Sequence, residues 1–114
     1  MSRIVVLLAL TACAASTPPP KRSFGPSDRD AVKAVLDAQV TAWNAGNLDG
    51  YMDGYAKTDW LVFTSGGKVR RGWQETHDTF QKKYATEEAA MGRLAFEILS
   101  VDPIGADGAV VLGN

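Results

Sequence analysis

Apolar and polar positions alternate along residues 27–112 in a way that predicts helix, helix, hairpin, helix, strand and strand, in that order. The first helix has an apolar residue at almost every third or fourth position, which is the spacing of one helical face: Val32, Val35, Leu36, Val40 and Trp43. Gln39 falls on the same face. Ser27 and Asp30 form a variant of the capping box and predict the start of this helix, and Gly46 suits the left-handed position after its end.

The remaining elements follow from the same patterns. Gly66-Gly67 is a tight-turn signal, and β-branched and aromatic residues favour strands. In chain order they are a short helix with Leu48, Tyr51, Met52 and Tyr55 on its apolar face, strands at 60–65 and 68–71, a helix at 73–84, a polar linker at 85–92, a strand at 93–101, a turn at 103–108 and a strand at 109–112. Helices followed by strands that short turns join favour an α+β fold with an antiparallel sheet.

The first twelve residues have the pattern of a secretory signal. Arg3 is their only charge, and the apolar run of residues 4–10 is far shorter than the roughly 20 residues that a membrane-spanning helix needs. Residues 10–13 (Leu-Thr-Ala-Cys) resemble the lipobox of bacterial lipoproteins, which implies cleavage before Cys13 and acylation of its thiol. The alternative is an ordinary leader with an incidental cysteine. Cys13 is the only cysteine of the chain, which excludes an intrachain disulfide.

The chain is therefore predicted to have three parts: a lipoprotein signal peptide at residues 1–12, a lipid-anchored proline-rich linker at 13–26 and one domain at 27–114. Three consecutive prolines, at 18–20, favour the extended polyproline conformation of a spacer. We expect attachment to the lipid bilayer of a bacterial cell envelope through acylated Cys13, with the domain facing the periplasm or the exterior.

Charge and composition limit the kinds of partner that we expect the chain to bind. The formal net charge of −1 and the absence of a basic cluster exclude the usual electrostatic surface for nucleic acid. Cysteine and histidine do not occur at zinc-type spacings, so neither a metal nor a cofactor is expected. Lys68, Arg70 and Arg71 are interpreted as a charged edge strand that resists unwanted pairing.

Residues 43–49 (Trp-Asn-Ala-Gly-Asn-Leu-Asp), 61–67 (Leu-Val-Phe-Thr-Ser-Gly-Gly) and 71–73 (Arg-Gly-Trp) together resemble the nuclear-transport-factor-2-like superfamily. Within it, the chain is similar to SnoaL-like and related bacterial domains of unknown function. The resemblance covers about residues 27–112 and implies a cone, in which a curved antiparallel sheet wraps the first helix and opens into an apolar pocket. The resemblance also implies two further strands, so we expect the domain to be incomplete at Asn114. In addition, it implies that two copies pair into a homodimer.

Aromatic side chains are the candidate ligand-binding residues: Trp43, Tyr51, Tyr55, Phe63 and Trp73. Small-molecule pockets are mainly apolar with a few placed polar groups, which suits these rings and their phenols. Each of them could equally pack in the core. Tyr51 and Tyr55 are favoured most because a buried phenol needs a hydrogen-bond partner. The function predicted first is therefore the binding of a small apolar or aromatic molecule.

Two other functions stay open. The ketosteroid-isomerase branch of the superfamily removes a proton next to a carbonyl with a pocket carboxylate, and in such an enzyme His77 or Asp59 would be the base. His77 is the only histidine, and on an apolar face such a residue is more often simply packed. Asp59 is interpreted as a solvated turn residue. The other alternative is a non-catalytic dimerisation module.

Overall fold

The computed structural model describes residues 15–85 and 88–114, so Cys13 and the signal segment lie outside the described residues. The helices are α1 (Pro26–Asn44), α2 (Leu48–Met52) and α3 (Trp73–Tyr84), and a 3₁₀ turn follows at Glu88–Met91. The strands are β1 (Val62–Ser65), β2 (Lys68–Arg71), β3 (Ile98–Ile104) and β4 (Gly108–Gly113). The predicted α+β class with three helices and antiparallel strands is confirmed. In the described part of the chain, no helix is both long and apolar enough to cross a membrane.

Two antiparallel hairpins supply the sheet structure. In the first, β1 pairs with β2 so that Phe63 lies opposite Arg70. Gly66 and Gly67 join these strands with φ angles of 57° and 76°, and this confirms the predicted tight turn, because both central residues of such a turn need positive φ. In the second hairpin, β3 pairs with β4, and a bulge at Leu99 shifts the register. Within residues 15–85 and 88–114, each hairpin forms its own two-stranded sheet.

The predicted capping box of Ser27 and Asp30 is wrong by two positions. Gly25 is the residue that precedes the helix, and its backbone N–H donates to Asp28 Oδ2 at 2.8 Å. Pro26 takes the first helical position, where its missing N–H has no helical partner to lose and its fixed φ already suits a helix. The helix therefore starts earlier than predicted, and Asp28 is the acidic residue that accepts the hydrogen bond of the capping box.

The third strand begins and ends later than the predicted range of 93–101. Leu94 cannot join it because both backbone polar groups of this residue bond to the side chain of Asn44. Pro103 was expected to begin the turn, but it lies in β3 opposite Ala109. Proline fits there because a strand at the edge of a sheet leaves one row of N–H groups without a partner strand.

The first strand is shorter than predicted, since β1 begins at Val62 and the Trp60 side chain ahead of it is 74% exposed. The short helix α2 ends at Met52, so Tyr55 lies beyond it. Gly46 has a φ of 71° just past the end of α1, which confirms its predicted left-handed position.

The core forms where the three helices meet the first hairpin. Tyr51, Met52 and Phe80 are its buried apolar residues. Partly buried side chains pack around them: Ala42, Trp43, Leu48, Tyr55, Phe63, Trp73, Tyr84 and Leu94. α1 contributes a buried polar residue, Gln39, whose Nε2 donates to the carbonyl oxygen of Tyr51 at 3.2 Å. This bond fixes α2 against α1 and thereby sets where the two tyrosines lie.

Candidate functional site

Tyr51 and Tyr55 form a hydrogen-bonded pair of phenols. Their hydroxyl oxygens lie 2.9 Å apart, and their rings meet edge to face with centroids 5.6 Å apart. Burial, and then the hydrogen bond with Tyr55, raise the pKa of Tyr51 above its usual value. Either hydroxyl can be the donor of this bond, and the accepting hydroxyl keeps a hydrogen of its own to donate.

Three further rings surround this pair, and together the five form what we call the aromatic cluster: Trp43, Tyr51, Tyr55, Phe63 and Phe80. Trp43 meets Tyr51 with centroids 4.8 Å apart, and Phe63 lies 5.8 Å from Tyr55 and 5.2 Å from Phe80. The contacts are edge to face, the arrangement that ring quadrupoles favour. Four of the five predicted ligand-binding residues are therefore brought together. They come from α1, α2, the turn after α2, and β1.

The fifth predicted residue, Trp73, has different neighbours. Its ring stacks on the imidazole of His77 at 4.9 Å with an interplanar angle of 10°, and the Lys57 ammonium lies 5.1 Å from its centroid. Its Nε1 donates to the carbonyl oxygen of Met52 at 2.8 Å. Trp73, the first residue of α3, therefore packs against the core. Its ring also stacks with His77 and lies near the Lys57 ammonium, outside the aromatic cluster.

His77, predicted as a weak candidate for a base, is held between two carboxylates. Its Nε2 lies 2.7 Å from Asp49 Oδ1, and its Nδ1 lies 3.5 Å from Asp78 Oδ1. The hydrogen bond to Asp49 raises the pKa of His77, and partial burial opposes that rise. With both ring nitrogens facing acceptors, the imidazole ties α2 to α3.

Asp59, the other candidate base, lies in the turn ahead of β1 and is exposed. It lines a shallow cleft of about 270 Å³ together with Lys57, Thr58, Trp73 and Gln74. The described hydrogen bonds do not connect Asp59 to His77, so the two candidates do not form a dyad. In the part of the chain that the structure describes, no group of three acidic, histidine or cysteine side chains is arranged to hold a metal ion.

Arg70 is the polar residue of this region that sequence reasoning missed. It lies opposite Phe63 in the first hairpin, and paired residues of an antiparallel ladder project from the same face. Its guanidinium carbon lies 6.0 Å from the centroid of the Phe80 ring. Its Nη1 is buried and has no hydrogen-bond partner among residues 15–85 and 88–114. Within the described residues β2 pairs only with β1, as an edge strand does, but the side chain of Arg70 lies on the face of that strand that carries Phe63.

The position of the Gly66-Gly67 turn could have shown which face Arg70 lies on, because the turn sets the register of the hairpin. Counting outward from Gly66-Gly67 pairs residues 65 with 68, 64 with 69 and 63 with 70, which places Arg70 on the same face as Phe63. The opposite face carries Val62 and Val69, which are 49% and 59% exposed. The hairpin thus turns a cation inward and valines outward, the reverse of the usual pattern.

A second apolar feature lies between α1 and the other hairpin. A groove of about 250 Å³ is lined by Leu36, Phe96, Ile98, Val111, Gly113 and Asn114. None of the predicted ligand-binding residues lines it. Two residues of the apolar face of α1 thus have different surroundings: Trp43 lies in the aromatic cluster, and Leu36 lines this groove.

The structure is similar to a crystal structure of an NTF-2-like protein of unknown function from Shewanella oneidensis MR-1, with a TM-score of 0.70. The sequences are 36% identical, and the match covers 75% of this chain and 69% of that protein. The chain therefore belongs to the NTF-2-like family. No family model matches the sequence, and no curated protein matches it significantly.

Proposed function

We propose that this NTF-2-like domain binds a small apolar or aromatic molecule against the aromatic cluster. The observation that carries the proposal is the Tyr51–Tyr55 hydroxyl pair, which sits among apolar rings and keeps one donor hydrogen. Binding sites for small molecules combine apolar walls with a few placed polar groups, and the cluster has this composition. A ligand with a flat apolar body and a polar end that accepts a hydrogen bond would match it.

We also propose that the domain has the shape of a cone. In an NTF-2-like cone, the sheet wraps the first helix, and α1 here contacts structure on two sides. Trp43 packs in the aromatic cluster beside the first hairpin, and Leu36 faces the second hairpin across the apolar groove. These contacts support a cone in which both hairpins surround α1.

Binding of phenylacetamide tests the proposal, because this neutral probe has one ring and one acceptor carbonyl. We expect amide chemical shifts in the NMR spectrum to change for Tyr51, Tyr55 and Phe63, and saturation of the protein to transfer to the ring protons of the probe. Leu36→Ala, which changes only the groove beside α1, is the matched control and should leave those shift changes in place. Absence of binding, or shift changes confined to the groove residues, would contradict the proposal.

We also propose that the domain is anchored in the cell envelope through acylated Cys13. The described part of the linker supports a tether, since residues 15–23 are exposed and have no regular secondary structure. The linker meets the domain at Arg22, which bonds to Asp28 of α1 and, at 2.7 Å, to Asp107 in the β3–β4 turn. Expression in a bacterium with labelled palmitate should label the wild-type protein and not Cys13→Ala. Equal label in both would contradict the anchor.

A pairing of two copies is the second function that we propose. Val111 lines the groove toward α1, so its neighbours Val110 and Leu112 project from the other face of the hairpin, where they are 51% and 59% exposed. An apolar face of this kind favours association. Light scattering during size exclusion should show a dimer for the wild type and a monomer for Leu112→Glu. Monomers in both would contradict the pairing.

A further inference from the structure

We propose that Arg70 recognises an anion in this site, so that the ligand is an apolar or aromatic carboxylic acid. The inference rests on the proposed function, because it assigns the chemical class of the molecule that lies against the aromatic cluster. The carboxylate would accept from the Arg70 guanidinium, and the apolar body would pack on the rings. The inference is carried by the position of Arg70, by its buried nitrogen and by the donors beside it.

The position of Arg70 follows from the register of the first hairpin. Because it pairs with Phe63, its side chain leaves the same face as a ring that contacts both Tyr55 and Phe80. The guanidinium lies over the Phe80 ring, at 6.0 Å from the centroid. A cation over an aromatic face is stabilised, but this contact gives the buried Nη1 no hydrogen-bond acceptor.

Burial of the Arg70 Nη1 without an acceptor is unfavourable. A guanidinium is always protonated and only donates hydrogen bonds, so burying one of its nitrogens without an acceptor loses hydration that no hydrogen bond replaces. The ion pairs found in the described residues involve Arg22, Lys57 and His77 and do not include Arg70. The charge of Arg70 therefore stays uncompensated within this part of the chain.

The neighbouring polar groups are donors as well. The Tyr51–Tyr55 pair keeps one hydroxyl hydrogen for an outside acceptor. A carboxylate has two oxygens and only accepts hydrogen bonds, so it complements a guanidinium and a phenol together. A neutral amide brings donors of its own and matches this set less well.

The experiment compares acids with their primary amides on the full chain. Phenylacetate is paired with phenylacetamide and octanoate with octanamide, so that the two arms distinguish an aromatic acid from a fatty acid. Dissociation constants are measured by NMR titration for the wild type, Arg70→Gln and Arg71→Gln. Arg71 is the matched control because it is exposed and pairs with Val62 on the opposite face.

We expect at least one acid to bind the wild type about tenfold or more tightly than its amide, because hydrogen bonds to charged groups are the stronger ones. Arg70→Gln should abolish this preference and keep amide binding, and Arg71→Gln should keep the preference. If Arg70→Gln does not fold, Arg70→Lys replaces it, and the preference should weaken because lysine lacks the bidentate donor geometry.

Equal binding of acid and amide to the wild type would overturn the inference and leave the proposed function intact. A preference for acids that survives both Arg70 substitutions would also overturn it. If none of the four probes binds, both the inference and the proposed function fail.

Discussion

The side chain of Asn44 exchanges two hydrogen bonds with the backbone of Leu94, donating to its carbonyl oxygen at 2.9 Å and accepting from its N–H at 2.8 Å. The preceding residue acts in the same way, since Trp43 Nε1 donates to the carbonyl oxygen of Met91 at 3.0 Å. The Trp-Asn pair at the end of α1 therefore holds the segment that leads into β3.

Asn44→Ala should lower the free energy of unfolding by about 1–2 kcal/mol, because two hydrogen bonds to the backbone of Leu94 are lost at an exposed site. Denaturant unfolding measures the change. Thr41→Ala in the same helix is the control, since the Thr41 hydroxyl makes only a local bond to the carbonyl oxygen of Asp37. Equal effects of the two substitutions would show that Asn44 does not hold the segment.

Stability should depend on pH through His77. The hydrogen bond to Asp49 raises the pKa of His77, so protonation of the imidazole stabilises the folded state. This contribution is present in full below the pKa of the unfolded state, about 6.5, and is lost as the pH rises through the folded-state pKa. We expect the melting temperature to be lower at pH 8.5 than at pH 6, and NMR can follow the titration because the chain has one histidine.

Asp49→Asn tests the cause of this dependence. It should bring the pKa of His77 down and flatten the change in melting temperature between the two pH values. Asp78→Asn should have a smaller effect because Asp78 Oδ1 lies 3.5 Å from the ring, against 2.7 Å for Asp49. An unchanged histidine titration in Asp49→Asn would contradict the assignment.

Gly54 leaves room for the buried side chain of Gln39. A Cβ at position 54 would lie 2.4 Å from Gln39 Nε2 and within 2.6 Å of two of its carbons. Gly54→Ala should therefore lower the free energy of unfolding by about 1–3 kcal/mol, since Gln39 would have to leave its bond to Tyr51. In a Gln39→Ala background the same change should be neutral or stabilising, because alanine restricts the unfolded chain. An equal loss in both backgrounds would contradict this contact.

Local signals in the sequence predict much of the fold. Gly46, the Gly66-Gly67 turn and the helix at 73–84 depend on neighbouring residues only, and each is confirmed. Predictions failed where a distant residue decides the outcome. The range of β3 depends on Asn44, which lies 50 positions from Leu94, and no local pattern shows that contact. Similarly, His77 acquires its acidic partner, Asp49, from a different helix.

The candidate site was likewise predicted in part by local sequence patterns and in part not. Aromatic content and spacing predicted four residues that the structure brings together, and the two phenols of Tyr51 and Tyr55, four positions apart, meet at 2.9 Å. Arg70 was predicted only as part of a charged edge strand, and the run of basic residues did not show which face of that strand its side chain leaves. Its direction depends on the register of the hairpin, which the turn sets.

Arg70→Met should leave the melting temperature unchanged or raise it. The substitution removes a buried guanidinium nitrogen that has no described partner and leaves an unbranched apolar side chain in its place. Differential scanning calorimetry measures the change. A clear decrease would mean that the guanidinium stabilises the fold itself.

The central claim is that the Tyr51–Tyr55 pair serves a ligand and does not only fill the core. The double variant Tyr51→Phe, Tyr55→Phe tests it most directly, because both partners of the 2.9 Å bond are removed together and no buried phenol is left unpaired. We predict that the affinity for phenylacetamide falls about three- to tenfold while the melting temperature stays nearly unchanged. A lower melting temperature with unchanged affinity would contradict the claim and assign both phenols to core packing.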